Sequence, residues 1–188
     1  MLRKFGIIAV LSLLVTAFAA VPALAQEGAH FTRNGDPVCT ITGSGASATV
    51  NCTSELAGLG NEDIISSTTV SGFAVYQCQN PGGNLAPGQN RVLEGPVTTP
   101  VTIPADSIKN GRATVPGGPT TLTAAPTVSG QAAGCPNGQW TGVNPTLTIT
   151  SVTFSATQGD TLLFTSTASN PAGLTGTFSP TVTGGVAA

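Results

Sequence analysis

Reactive side chains are scarce in this 188-residue chain: it has one histidine, eight acids and four cysteines, and 7% of its residues are charged. A Ser-His-acid site needs an imidazole beside a nucleophile held on a sharp turn. His30 lies near the N-terminus and no G-x-S-x-G string occurs, so it reads as a surface histidine. Glycoside cleavage needs two carboxylates flanking one bond. Glu55, Glu62, Asp63, Glu94, Asp106 and Asp160 are scattered, and the adjacent Glu62 and Asp63 would point to opposite faces of a strand. They read as solvated loop acids, with weak calcium binding at Glu62 and Asp63 the minor alternative. No catalytic residue, metal ligand or cofactor is assigned, and a non-enzyme is expected.

Amide chemistry remains. The stretch Cys78-Gln79-Asn80-Pro81-Gly82-Gly83-Asn84-Leu85-Ala86-Pro87-Gly88-Gln89-Asn90 is uncharged and dense in turn formers. Its prolines lack a ladder donor and its glycines reach positive φ cheaply, so a loop is expected, anchored at Cys78. A second loop rich in turn formers is expected at 129 to 144, centred on Cys135-Pro136-Asn137-Gly138-Gln139-Trp140. Asn80, Asn84, Gln89, Asn90, Asn137, Gln139 and Trp140 form the candidate ligand-binding set, able to hydrogen-bond a neutral ligand such as sugar hydroxyls around one aromatic ring. The alternative for Trp140 and for Tyr76, each the sole residue of its kind, is packing against a disulfide.

The elements that must position these groups are strands. Residues 38 to 42 and 48 to 53 flank a Gly/Ser turn. With Thr42 opposite Thr49, Ile41 faces Val50 and Cys39 faces Cys52, close to bridging range. That pairing leaves Cys78 with Cys135, closing 58 residues, for which chain entropy predicts about 4 kcal/mol against about 3 for the hairpin. A long strand runs from about 64 to 79, with Val70, Gly72, Ala74, Tyr76 and Cys78 sharing a face. Residues 92 to 103 contain Pro96 and Pro100 and are restricted to an edge or an extended connection. Short strands are expected at 112 to 115, 120 to 124, 161 to 168 and 176 to 183. In 146 to 158 the apolar phase shifts between Ile149 and Val152, which places a bulge near Thr150-Ser151. Eight to ten short strands without an amphipathic helix specify an all-β fold: an antiparallel immunoglobulin-like β-sandwich with two disulfides.

Residues 1 to 25 have a basic start, an apolar run and a small-residue cleavage site ending in Ala23-Leu24-Ala25, the pattern of a secretory signal peptide. Residues 26 to 188 are then one secreted domain, with four basic residues against eight acids. So negative a chain lacks the clustered basic footprint of a nucleic-acid binder. No membrane association is expected once the signal is removed. Asn51-Cys52-Thr53 fits a glycosylation sequon without further support.

Leu59-Gly60-Asn61, the Cys78 to Asn90 string, Ile108-Lys109-Asn110-Gly111, Cys135-Pro136-Asn137 and Gln139-Trp140-Thr141 together resemble a group of uncharacterised small secreted actinobacterial β-sandwich proteins carrying a C-x-N-P-G-G-N-x-A-P-G-Q-N loop. The resemblance covers about residues 38 to 158. It implies secretion and a β fold and transfers no catalytic residue. A weaker likeness, to the enediyne-binding apoproteins, is one of architecture alone. The expected function is a non-enzymatic extracellular binding or surface-interaction module for neutral polysaccharide or cell-wall material, its exact extracellular partner unknown. A self-associating structural or coat protein, hence a homo-oligomer, and a small-molecule carrier are the alternatives.

Overall fold

The computed structural model describes residues 28–187. The expected signal peptide at 1 to 25 lies outside the described residues. Thirteen strands follow in order: β1 (His30–Phe31), β2 (Val38–Ser44), β3 (Ser47–Ala57), β4 (Ile64–Gln79), β5 (Leu85–Pro87), β6 (Val92–Ile103), β7 (Ala113–Pro116), β8 (Thr120–Thr123), β9 (Val128–Ser129), β10 (Thr141–Gln158), β11 (Thr161–Ser169), β12 (Thr177–Phe178) and β13 (Thr181–Gly184). One helical turn, α1 (Gly130–Ala133), separates β9 from β10. They form two antiparallel sheets packed face to face, a β-sandwich, as expected.

The first sheet is built on β3. It pairs with β2 in the register that the alternation predicts, Thr42 opposite Thr49, Ile41 opposite Val50 and Cys39 opposite Cys52. It also pairs with β1, β7 and β8, and β12 lies beyond β2. The second sheet runs β13-β11-β10-β4, and the free edge of β4 is shared by β5 and β6. Both disulfides form, Cys39–Cys52 and Cys78–Cys135, and no free cysteine is present among the described residues. Such pairing is the chemistry of a non-cytoplasmic environment.

Two apolar clusters fill the interior. The main one lies between the sheets, where Phe154 meets Phe164 edge-on with ring centroids 5.0 Å apart and Phe31 meets Phe164 at 5.3 Å. The smaller one, Ala74, Tyr76, Cys78, Ala124 and Ala133, lies under the second disulfide. The register of β10 on β4 shifts between Ile149 and Ser151, where the apolar phase changes, and again between Val143 and Thr146. At Gly72 a Cβ would stand 2.2 Å from the Thr148 carbonyl oxygen, so only glycine permits this approach of the two strands.

Rows of hydroxyls cross the outward face of the second sheet, with the exposed Ile65 and Leu162 at one end of it. Thr98, Thr69, Thr153, Thr167 and Thr181 stand opposite one another on five successive strands. Hydroxyl pairs link neighbours, Thr69 to Thr98 at 2.8 Å and Thr153 to Thr167 at 3.4 Å, with Ser67 to Ser155 at 3.1 Å in the next row.

Three expectations need correction. The loop expected at 129 to 144 holds the helical turn α1 and the first residues of β10. Residues 79 to 90 are not one loop: β5 pairs antiparallel with β4, Cys78 opposite Ala86 and Gln77 opposite Pro87. The Asn80 N–H donates to the Asn84 carbonyl and the Gly88 N–H to the Tyr76 carbonyl, so Pro87 occupies the alternate position where no donor toward β4 is needed. The stretch 176 to 183 is not one strand either. Around Pro180 the chain passes from β12, paired with β2, to β13, paired with β11.

Candidate functional site

The candidate residues gather at the C-terminal end of β4. The Cys78–Cys135 disulfide joins this strand to the segment after α1. α1 is short and fully capped: the Ser129 hydroxyl accepts from the Ala132 N–H, and Gly134 takes the left-handed conformation at φ 69°. The Ala133 carbonyl then accepts from the N–H groups of both Gln89 (3.1 Å) and Asn90 (3.2 Å). One covalent bond and these backbone bonds lock the two turn-rich stretches together, as their anchoring cysteines imply.

The amide side chains divide into two groups. Three are bonded within the protein, two to their own turns and Asn90 to α1. Asn80 accepts the Asn84 N–H on its Oδ1 at 2.9 Å, Asn137 accepts the Gln139 N–H at 3.0 Å, and Asn90 Nδ2 donates to the Gln131 carbonyl at 3.3 Å. Asn84, Gln89 and Gln139 are exposed with side-chain amides that make no bond to the protein. Trp140 is half-buried and packs against the smaller apolar cluster that contains the disulfide, together with Tyr76. The packing alternative therefore describes Tyr76 fully and Trp140 in part.

Tyr76 is buried at 1% exposure, and its hydroxyl donates to the Ala125 carbonyl at 2.9 Å and approaches Glu94 Oε1 at 3.4 Å. Its pKa is raised, first by burial, then by the negative charge of Glu94 and their hydrogen bond. It is a neutral structural phenol.

Beside this end runs an open hollow of about 590 Å³, lined by Val75, Tyr76, Gln77, Pro87, Gly88, Asn144, Pro145 and Thr146. None of these residues is charged. Asn144 Nδ2 donates to Gln77 Oε1 at 2.8 Å across the mouth, from a left-handed backbone at φ 50°. This amide pair is absent from the set read from the sequence. Asn144, two residues before a shifted register, and Gln77, on the outward face of β4, meet only through the irregular pairing of β10. Among the described residues no group of three or more His, Cys, Asp and Glu side chains could hold a metal ion. His30 is exposed on β1 with Nδ1 2.6 Å from the Gly28 carbonyl oxygen.

No family model, curated protein or solved structure matches the chain. Among the described residues no helix is long and apolar enough to cross a membrane.

Proposed function

We propose that the protein is a secreted, non-enzymatic binding module that contacts neutral polysaccharide or cell-wall material through the disulfide-locked end of β4. The observation that carries this reading is the uncharged hollow of about 590 Å³, bordered by the Gln77–Asn144 amide pair and by Pro87 and Pro145. Apolar ring edges beside paired amide donors and acceptors suit the alternating CH and OH surface of a sugar. The exposed amides of Asn84, Gln89 and Gln139 extend that chemistry over the neighbouring turns. Locking by a disulfide and by the Ala133 carbonyl reduces the ordering entropy that binding would otherwise cost. The signal-like N-terminus, the disulfide pairing and the loop resemblance support action outside the cell.

The test is cosedimentation with purified cell wall and with insoluble neutral polysaccharides. The Gln77→Ala, Gln89→Ala double variant should retain its thermal transition and lose about tenfold in affinity, equivalent to two weak hydrogen bonds. Equal binding by variant and wild type would overturn the reading. A second reading, self-association along β6, is favoured by that strand having a single lateral partner in its sheet, β4. Pro96 and Pro100 oppose it by removing ladder donors. Sedimentation velocity over a wide concentration range separates the two readings.

A further inference from the structure

A second open hollow, of about 580 Å³, lies beside the segment that leads into β4, at the other end of that strand. It is lined by Thr32, Arg33, Glu55, Leu56, Ser107, Lys109, Arg112, Ala113 and Thr114. Residues 28–187 contain four basic side chains, and three of them, Arg33, Lys109 and Arg112, line this one hollow. Chance scatter over so neutral a surface does not favour that concentration. Two of the three are also held in an unfavourable relation. Lys109 and Arg112 face each other across a two-residue turn, exchanging backbone bonds of 2.9 and 3.0 Å, with Asn110 and Gly111 at positive φ. Like charges directly opposed on paired strands destabilise the pair.

No direct ion pair neutralises them. Glu55 lines the hollow and accepts from the Thr32 hydroxyl at 3.3 Å, and Asp106 offers its backbone carbonyl to Lys109 Nζ, yet no ion pair forms among the described residues. Hydroxyls of Thr32, Ser107 and Thr114 complete the lining.

We propose that this hollow is an oxyanion site that takes a single phosphate-class group. Arginine supplies a planar fork matched to tetrahedral or carboxylate oxygens, lysine a point charge, and the Thr114 hydroxyl a neutral donor, the hydroxyls of Thr32 and Ser107 donating to Glu55 and Asp106. The net negative charge of the chain repels a long polyanion and leaves a compact group, either free phosphate or a phosphate monoester on a small carrier. The site is independent of the neutral hollow and of the function proposed for it.

The experiment is an amide NMR titration of the purified secreted protein with inorganic phosphate, glucose 1-phosphate and, as a control, glucose. Saturable shifts at residues 32 to 33, 55 to 56 and 107 to 114 are expected from a phosphate probe and none at those residues from glucose. Binding of inorganic phosphate identifies a free-ion site, and binding of the monoester alone identifies a carried group. The Lys109→Gln, Arg112→Gln double variant should weaken binding about tenfold or more, with the rest of the spectrum unchanged. Arg91→Gln, which removes the fourth cation from its position over the Phe73 ring, should leave binding intact. No saturable shift from either phosphate probe, or equal loss in the Arg91 variant, overturns the proposal.

Discussion

Gly134 and Asn90 are packed so closely that a Cβ on Gly134 would stand 2.8 Å from Cγ of Asn90. The contact matters because Gly134 also holds φ 69°, a conformation that L residues adopt at a cost. Gly134→Ala therefore meets both a steric and a backbone penalty, together about 2 kcal/mol. Because the neighbouring Ala133 carbonyl holds Gln89 and Asn90, the same variant should accelerate hydrogen exchange at those two amides before others. Native-state exchange with and without the substitution checks this.

Tyr76 is the only tyrosine, so its titration can be read by ultraviolet absorbance without interference. Its pKa is raised by burial and by Glu94, above the ordinary 10.0. The folded protein thus holds the phenolic proton more tightly than the unfolded chain does. The corresponding stability is fully present below about pH 10 and is lost as pH rises from there through the folded pKa. Tyr76→Phe should remove this alkaline dependence. At neutral pH it should cost about 1 kcal/mol for the lost bond to Ala125, a few degrees in Tm.

Replacing Cys78 and Cys135 together by alanine releases a loop whose ends are 57 residues apart and should cost about 4 kcal/mol. The main cluster around Phe154 and Phe164 does not include this disulfide. Circular dichroism should therefore show retained strand content with a lowered Tm, while binding through the uncharged hollow is lost.

Gln158 is fully buried at the end of β10. Its amide accepts from the Gly60 N–H at 3.1 Å and donates to the carbonyls of Gly60 at 3.1 Å and Glu62 at 2.6 Å. Gln158→Leu keeps the volume and strands these backbone groups, which should cost about 2 kcal/mol by denaturant unfolding. The loss should appear first as exchange in residues 58 to 63.

The sequence made the frame legible where one simple rule governed. Alternation and two cysteines set the β2–β3 register, a long uninterrupted run marked β4, and the phase shift after Ile149 marked the bulge. It was less informative where a residue's meaning depended on which side of a ladder it occupied. Pro87 reads as a strand breaker until its partner is known, since at an unbonded ladder position its missing N–H costs nothing. The same limit applies to the candidate sites. The seven residues drawn from the two turn-rich stretches do lie on segments joined by the second disulfide, but the amides of Asn80 and Asn137 serve their own turns and that of Asn90 ties its stretch to α1. The Gln77–Asn144 pair and the gathering of Arg33, Lys109 and Arg112 around one hollow depend on the approach of segments distant in sequence, which local pattern cannot report.

The threonine rows across the second sheet have a physical consequence for the protein as a solute. Most soluble proteins stay dispersed through charge, and their solubility falls near the isoelectric point or when salt screens that charge. Here the hydroxyls of Thr69 and Thr98, Ser67 and Ser155, and Thr153 and Thr167 bond one another and still offer lone pairs to water. A broad face is thus wetted by groups that do not titrate. Where the hydroxyl rows cover that face, its hydration should change little in acid or in brine, whereas the exposed Ile65 and Leu162 at its end contribute no such wetting.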